Sequence, residues 1–388
     1  MEFQYIKATE FCTSVRDGTH DTPKQKEEGY KLVTGKHIKN GVIDSTDAYY
    51  ISEEDYNKIN ERSLVEQWDV LMSMIGTVGE VAVVKNTPDY AIKNIALFKC
   101  GGSELKGKWL SYYLKTPEAI GYMTGNQKGS SQQFLSLKQL RELPIAITSE
   151  KCMKRIIDVL SVYDELIENN QKQIKLLEEA ARRLYKEWFV DLHFPEHEKT
   201  KSVDGVPEGW HMGTVQEVIE YHDTKRKPLS GQQREKMKGE YRYYGAAGIL
   251  DYVNAFLFDG IYLLLGEDGT VVSDNGCPVL QYVTGQFWVN NHAHVLTGKG
   301  KYSTEYIYMM FAHMKILDVV TGVAQPKISQ GRLSAKKILI PAPELAVTFD
   351  VNAKPYFEKI LILENQITKL EEARDRLLPK LMSGEIEL

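Results

Sequence analysis

Alternating steps of four and three residues along the middle of the chain meet Ile156, Leu160, Tyr163, Ile167, Asn170, Ile174, Leu177, Ala181, Leu184 and Trp188. Only Asn170 is polar, and this spacing predicts a helix with a narrow buried seam lasting about four and a half heptads. Adding 193 to each number gives Phe349, Ala353, Tyr356, Ile360, Leu363, Ile367, Leu370, Arg374, Leu377 and Leu381, a second such seam. The residues repeat as well as the pattern. IKLLEEAARRL, from Ile174 to Leu184, and ITKLEEARDRL, from Ile367 to Leu377, share seven of eleven positions. Long helices with narrow apolar stripes do not stand alone in water, so these two should pack on one another. Pro355 predicts a kink or a late start in the second helix, and Pro379 predicts fraying near its end.

The rest of each half echoes more faintly. Trp68-Asp69 before Gly76 to Gly79 resembles Phe258-Asp259 before Gly266 to Gly269, and Asn94-Ile95-Ala96 resembles Asn291-His292-Ala293. The chain therefore divides into a globular segment at 1–149, a long helix at 150–190, a charged linker at 191–206, a second globular segment at 207–343 and a second long helix at 344–388. Short β-type runs such as Val81 to Val84, Ile261 to Leu265 and Phe287 to Val289 alternate with helical patterns at Gly107–Thr116 and Ser303–Leu317. The expected class is α+β: two mixed α/β domains separated by two long helices packed as an antiparallel coiled coil, with pseudo-twofold symmetry. Forty helical residues reach about 60 Å. One turn of B-DNA is about 34 Å, so domains at the ends of such a rod could touch sites one to two turns apart. The same geometry also suits a coiled-coil tether carrying two domains that bind something other than DNA.

Composition narrows the field. Apolar residues are 43% and charged residues 26%, as in ordinary globular proteins. The net charge of −5, from 48 basic and 53 acidic residues, confines any nucleic-acid contact to local basic patches. Cys12, Cys100, Cys152 and Cys277 form no CxxC pair, and no Cys/His group has zinc spacing. The start of the chain is charged where a signal peptide needs an apolar run, and no long apolar window appears. The expectation is a reduced, cytoplasmic protein with no membrane span, no metal and no catalytic residues. There is no GxxxxGK[ST] phosphate loop, no Asn-Pro-Pro-aromatic methyltransferase motif and no GxSxG elbow.

Several motifs resemble those of the specificity subunits of Type I restriction-modification systems. They are RDGTHDTP (Arg16 to Pro23), WDVLMSMIGTVGEVAVV (Trp68 to Val84), KEWFVDLHFP (Lys186 to Pro195), GVPEGW (Gly205 to Trp210), YYGAAGILDYVNAFLFDGIYLLLGEDG (Tyr243 to Gly269) and WVNNHAHVL (Trp288 to Leu296). The resemblance covers essentially the whole chain. It implies two target-recognition domains, each reading half of a bipartite target in double-stranded DNA, and helices that set the unread spacer. It also implies partners: two modification (methyltransferase) subunits that bind S-adenosylmethionine, and restriction (motor-nuclease) subunits that use ATP and Mg. This chain itself would be non-catalytic and would hold no cofactor.

Phosphate affinity needs Lys and Arg, and base reading needs forked donors and acceptors. The strongest basic stretch, from Tyr221 to Tyr244, offers Lys225, Arg226, Lys227, Gln232, Gln233, Arg234, Tyr243 and Tyr244. Asn290, Asn291 and His292 form a second group in that domain, and Gln325 and Lys327 a third. The first domain offers Arg16, Thr19 and His20, then Lys36, His37, Lys39 and Asn40, then Lys128, Ser130, Ser131, Gln132 and Gln133. Glu178, Glu179 and Arg183 lie off the first seam and recur as Glu371, Glu372 and Arg376, which makes both sets candidates for docking two equivalent partner subunits.

Overall fold

The computed structural model describes residues 2–75, 78–126, 134–273, 275–322 and 325–388. It divides into two compact units, Met1–Asn169 with Gln366–Leu388, and Asn170–Asn365. Each unit thus holds one mixed domain and a stretch of both long helices.

In the first unit, an antiparallel sheet runs in the order Ser14–Asp17, Ile95–Lys99, Val70–Ser73, Val81–Val83. Ile95, Ala96, Leu97 and Phe98 are all buried, as a strand covered on both faces requires. A smaller sheet joins Tyr50–Ile51, Tyr30–Thr34 and Tyr90–Lys93, the last two in parallel. Gln4–Lys7 pairs with Pro144–Ile147, the strand that leads into the first long helix. The helix Glu104–Tyr113 starts at Ser103, whose hydroxyl accepts from the Lys106 N–H. It is tied to that ribbon by Trp109 Nε1 donating to the Ala146 carbonyl at 2.8 Å and by Tyr113 donating to the Pro144 carbonyl at 2.7 Å. Gly107 lies against the Trp68 carbonyl, which a Cβ would approach to 2.3 Å, so only glycine lets the helix sit that close.

The second unit repeats the frame with a larger sheet. Its order is Ile219–Tyr221, Ala293–Gly298, Phe258–Gly266, Leu280–Val289, Lys238–Tyr244, Ile249–Val253. Its ribbon pairs His211–Thr214 with Lys337–Ile340, again just before a long helix. Thr304–His313 corresponds to the capped helix of the first unit and starts at Ser303 in the same way.

The long helices are Glu150–Tyr185, followed by a π turn at Lys186–Val190, and Pro343–Ser383. Every residue of both expected seams is buried or half-buried. In the first unit, Arg155 donates to the Leu388 carbonyl and Asp164 pairs with Arg374 at 2.8 Å, so partner numbers fall as helix numbers rise. In the second unit, the Tyr185 ring packs edge-on against Phe349 at 5.8 Å, while Glu178 and Glu364 feel each other's charge. The helices are antiparallel in both. The apolar stripe is wider than the seam, because Met153, Ile157, Leu378, Met382, Ala346 and Phe357 are buried too. Pro355 does not delay the helix's start, since the helix runs unbroken from Pro343 to Ser383. It is exposed, so the carbonyl it leaves unpaired faces water. Pro379 likewise lies inside the continuous helix. Among the described residues, no helix is long and apolar enough to cross a membrane.

Asp350, at the start of the second long helix, accepts from the Ser303 hydroxyl at 2.6 Å. Burial, aided by the Glu305 charge, pushes its carboxyl up to about 6. A carboxylate that holds its proton more tightly when folded costs stability as pH rises from its ordinary range to about 6, and the loss is complete above that. Asp350→Asn should therefore raise the thermal midpoint by a few degrees at pH 8, on the order of 1–2 kcal/mol, and leave it unchanged near pH 4. A melting series across that range checks the sign.

Candidate nucleic-acid interface

The basic stretch of the second domain folds around a buried carboxylate. Asp223 accepts from the Val295 N–H at 2.7 Å and faces His294 Nδ1 at 2.7 Å, Arg226 Nη2 at 3.3 Å and the Gln330 amide. Burial alone would push its carboxyl up, but the hydrogen bonds from His294 and Val295 outweigh that and hold it below the usual range. Glu267, at the end of strand Phe258–Gly266, meets Arg226 Nη1 at 2.7 Å and Lys327 Nζ at 3.2 Å. Its carboxyl is lowered for the same reason, with burial opposing and Arg226 prevailing.

His294 Nε2 lies 2.9 Å from the Ile328 carbonyl, so both ring nitrogens face acceptors. Asp223, Glu267 and His294 bring their ligand atoms within 4.8 Å of one another, the spacing of a metal site. The Arg226 guanidinium bridges the two carboxylates where a cation would sit.

This cluster ties four segments together. Arg226 Nη1 also donates to the carbonyls of Asn291 and Ala293, at 3.4 and 2.7 Å. The Gly269 N–H donates to Pro326, and the Ile328 N–H to Glu267. The segments carrying Lys225 and Lys227, Asn291 and His292, and Gln325 and Lys327 are thereby bonded to one another, and all six side chains are exposed. His292 and His294 do not share a sheet face. His292 precedes the strand Ala293–Gly298 and is exposed, whereas His294 is buried.

Other candidates in this domain are structural. Arg226 is only 13% exposed and its donors are taken, so it braces the loop and does not present a free charge. Arg234 is held by Asp251 at 3.1 Å and by the Leu229 carbonyl at 2.8 Å. Tyr243 is buried and accepts from the Leu229 N–H, and Tyr244 is buried edge-on against Phe287. Asn290 is buried and its side chain accepts from the His292 N–H. Gln233 accepts from the Ser230 N–H to cap helix Gly231–Lys236, while Gln232 is exposed on that helix.

In the first domain, Arg16 is exposed and donates to the Arg62 carbonyl at 2.6 Å. His20 lies between Asn94 Oδ1 at 2.7 Å and Asp17 Oδ2 at 3.1 Å, and Arg62 pairs with the same Asp17. Thr19 accepts from the Asp21 N–H, and Lys93 donates to Thr22. Arg62, Lys93 and Asn94 thus join Arg16, Thr19 and His20 in one polar patch. Nothing in the spacing of Arg62 and Lys93 marked them, and Asn94 was visible only through the repeat.

Lys36 pairs with Asp47 at 3.1 Å, and Lys39 and Asn40 are exposed on an Asn40-Gly41 hairpin turn. His37 is buried, its Nδ1 accepting from the Thr34 N–H, and burial lowers its proton affinity, so it is a turn brace. Lys128, Ser130, Ser131, Gln132 and Gln133 lie outside the described residues.

On the long helices, Glu179 and Arg183 pair with one another in the open, and Glu372 and Arg376 are exposed. Glu178 and Glu371 are half-buried, and burial pushes the Glu178 carboxyl up, which weakens their case as docking groups.

Residues 1–179 and 207–369 match the family model described as the Type I restriction modification DNA specificity domain. Over 366 residues the chain is 26% identical to the Type I restriction enzyme MjaIX specificity subunit of Methanocaldococcus jannaschii, which spans 87% of this chain and 84% of that one. It is 25% identical over 142 residues to the EcoprrI specificity subunit of Escherichia coli, 37% of this chain and 33% of that one. In fold it is similar to the crystal structure of the Type-I restriction-modification system S subunit from M. genitalium, with a TM-score of 0.55 at 16% identity over 98% of this chain and 96% of that one.

Charge reversal at Lys225 and Lys227 should weaken binding to all duplex sequences alike and lower the salt slope by about two. Fluorescence anisotropy across a KCl series reads both. Arg226→Glu should instead place a third carboxylate in the cluster and lower the thermal midpoint.

Proposed function

Because the chain belongs to the Type I restriction modification DNA specificity domain family, whose role is DNA recognition, we propose that it is the non-catalytic reader of a methyltransferase and nuclease complex. Each domain reads one half of a bipartite duplex target. The two long helices set the unread spacer and offer docking surfaces to two modification subunits. S-adenosylmethionine belongs to those subunits, and ATP with Mg to the restriction subunits.

The observation that carries the reading is the double family match, one copy on each domain, beside a basic patch in each. Dissimilar loops on a repeated frame suit a target whose halves differ. In the first domain the patch sits on Arg16, Arg62 and Lys93, and in the second on Lys225, Lys227 and Lys327.

Sequencing the methylated adenines of the host genome tests this directly. A bipartite motif with a fixed gap, lost when the gene is deleted, is the expected result. Four residues inserted within 168–176 add one turn, about 5.4 Å, or roughly one to two base pairs. The tolerated gap should change, or modification should be lost, whereas retention of the original gap would show that the helices do not measure it.

A further inference from the structure

An exposed side chain on a binding loop ordinarily samples several rotamers, and fixing one on binding costs free energy. His292 is fixed in advance. Its N–H donates to Asn290 Oδ1 at 2.8 Å, and its carbonyl accepts from the Glu267 N–H at 2.8 Å. Its Nδ1 lies 2.6 Å from Asp268 Oδ1. An ionised carboxylate only accepts, so Nδ1 carries the hydrogen and Nε2 is the atom left for a ligand. The ring is 49% exposed, and Nε2 makes no hydrogen bond among the described residues. On either side, the carbonyls of Asn291 and Ala293 are held by Arg226.

We propose that His292 reads a base edge in the half-site of the second domain, and that Asp268 and Arg226 are its positioning residues. Nε2 donates to a purine N7, guanine O6 or thymine O4 when the ring is protonated, and accepts from an adenine N6 or cytosine N4 amino group when it is not. The buried cluster beneath makes this possible. Glu267, next to Asp268, is anchored by Arg226 and Lys327, and Arg226 is anchored in turn by Asp223. A reader held on three sides forfeits little freedom on binding and rejects a wrong base by leaving a polar atom unmet.

The inference rests on the DNA reading above, and its test separates the two. The full chain, assembled with the modification subunits of its own system, is assayed for methylation of duplexes carrying single base changes in either half of the target. His292→Ala should lose about tenfold of its discrimination at one or two positions of the second half-site and none in the first. Asp268→Ala should lose it at the same positions. Asp268→Asn, which keeps an acceptor for Nδ1–H, should recover most of it, with an unchanged thermal midpoint. Discrimination unaltered in His292→Ala, while Lys225→Glu with Lys227→Glu weakens binding, overturns the inference and leaves the DNA reading standing. No effect from either set overturns both. Loss in His292→Ala without loss in Asp268→Ala overturns the positioning role.

Discussion

Neither domain closes a core by itself. The first core takes Ile156, Ile157 and Leu160 from the first long helix, and Leu378, Leu381 and Met382 from the last turns of the second. The second core takes Ala181, Tyr185 and Trp188 from one helix and Phe349, Ala353 and Phe357 from the other. Fully burying a large apolar side chain is worth about 1.5–3 kcal/mol, so six such residues supply on the order of 10 kcal/mol, as much as a whole domain's net stability. The helices are therefore structural members of both domains, and the end of the chain is as much a part of the first domain as its beginning.

That dependence gives the polar positions of the seam their meaning. Arg374 occupies the site that is Ala181 in the other copy of the repeat. It pairs with Asp164 at 2.8 Å, and Asp164 accepts from the Tyr112 hydroxyl of the first domain at 2.6 Å. A single polar group in an apolar seam costs stability and fixes register, because any slip leaves it unpaired. Here one arginine keys two helices and a domain together in the first unit. The small Ala181 leaves room in the second unit for the aromatic cluster of Tyr185, Trp188, Phe189, Tyr306 and Phe349.

The periodic features were legible in the sequence because a helix face or a strand run is a local pattern. Both seams, the strands around Val81, Ile261 and Phe287, and the two short helices could be read that way. Pro355 does not delay the helix because it lies on an exposed face, and which face that is depends on the partner helix. The site was legible only in outline. Arg226 and Lys225 look alike in a basic run, yet one is consumed by Asp223 and Glu267, residues that are respectively 3 and 41 positions away in sequence. Asp268 and His292 meet across 24 positions, and Arg62 reaches Asp17 across 45. Pairings over such distances follow from strand order, which no local pattern states.

In the second domain, the basic stretch divides between a buried arginine and exposed lysines. Arginine's forked donors satisfy several acceptors at fixed angles, so Arg226 serves as an internal bracket joining its own segment to those of Glu267 and of Asn291 and Ala293. Lysine's single ammonium is strongly hydrated and stays at the surface, as Lys225 and Lys227 do. On the proposed reading, long-range attraction to phosphate would come from flexible charges and vary with salt, whereas the shape offered to the bases would be set by a desolvated cluster that salt screens far less. Affinity and discrimination would then rest on different residues of the same loops, because a basic stretch that reads in sequence as one patch divides in the fold into exposed lysines and a buried arginine that supports them.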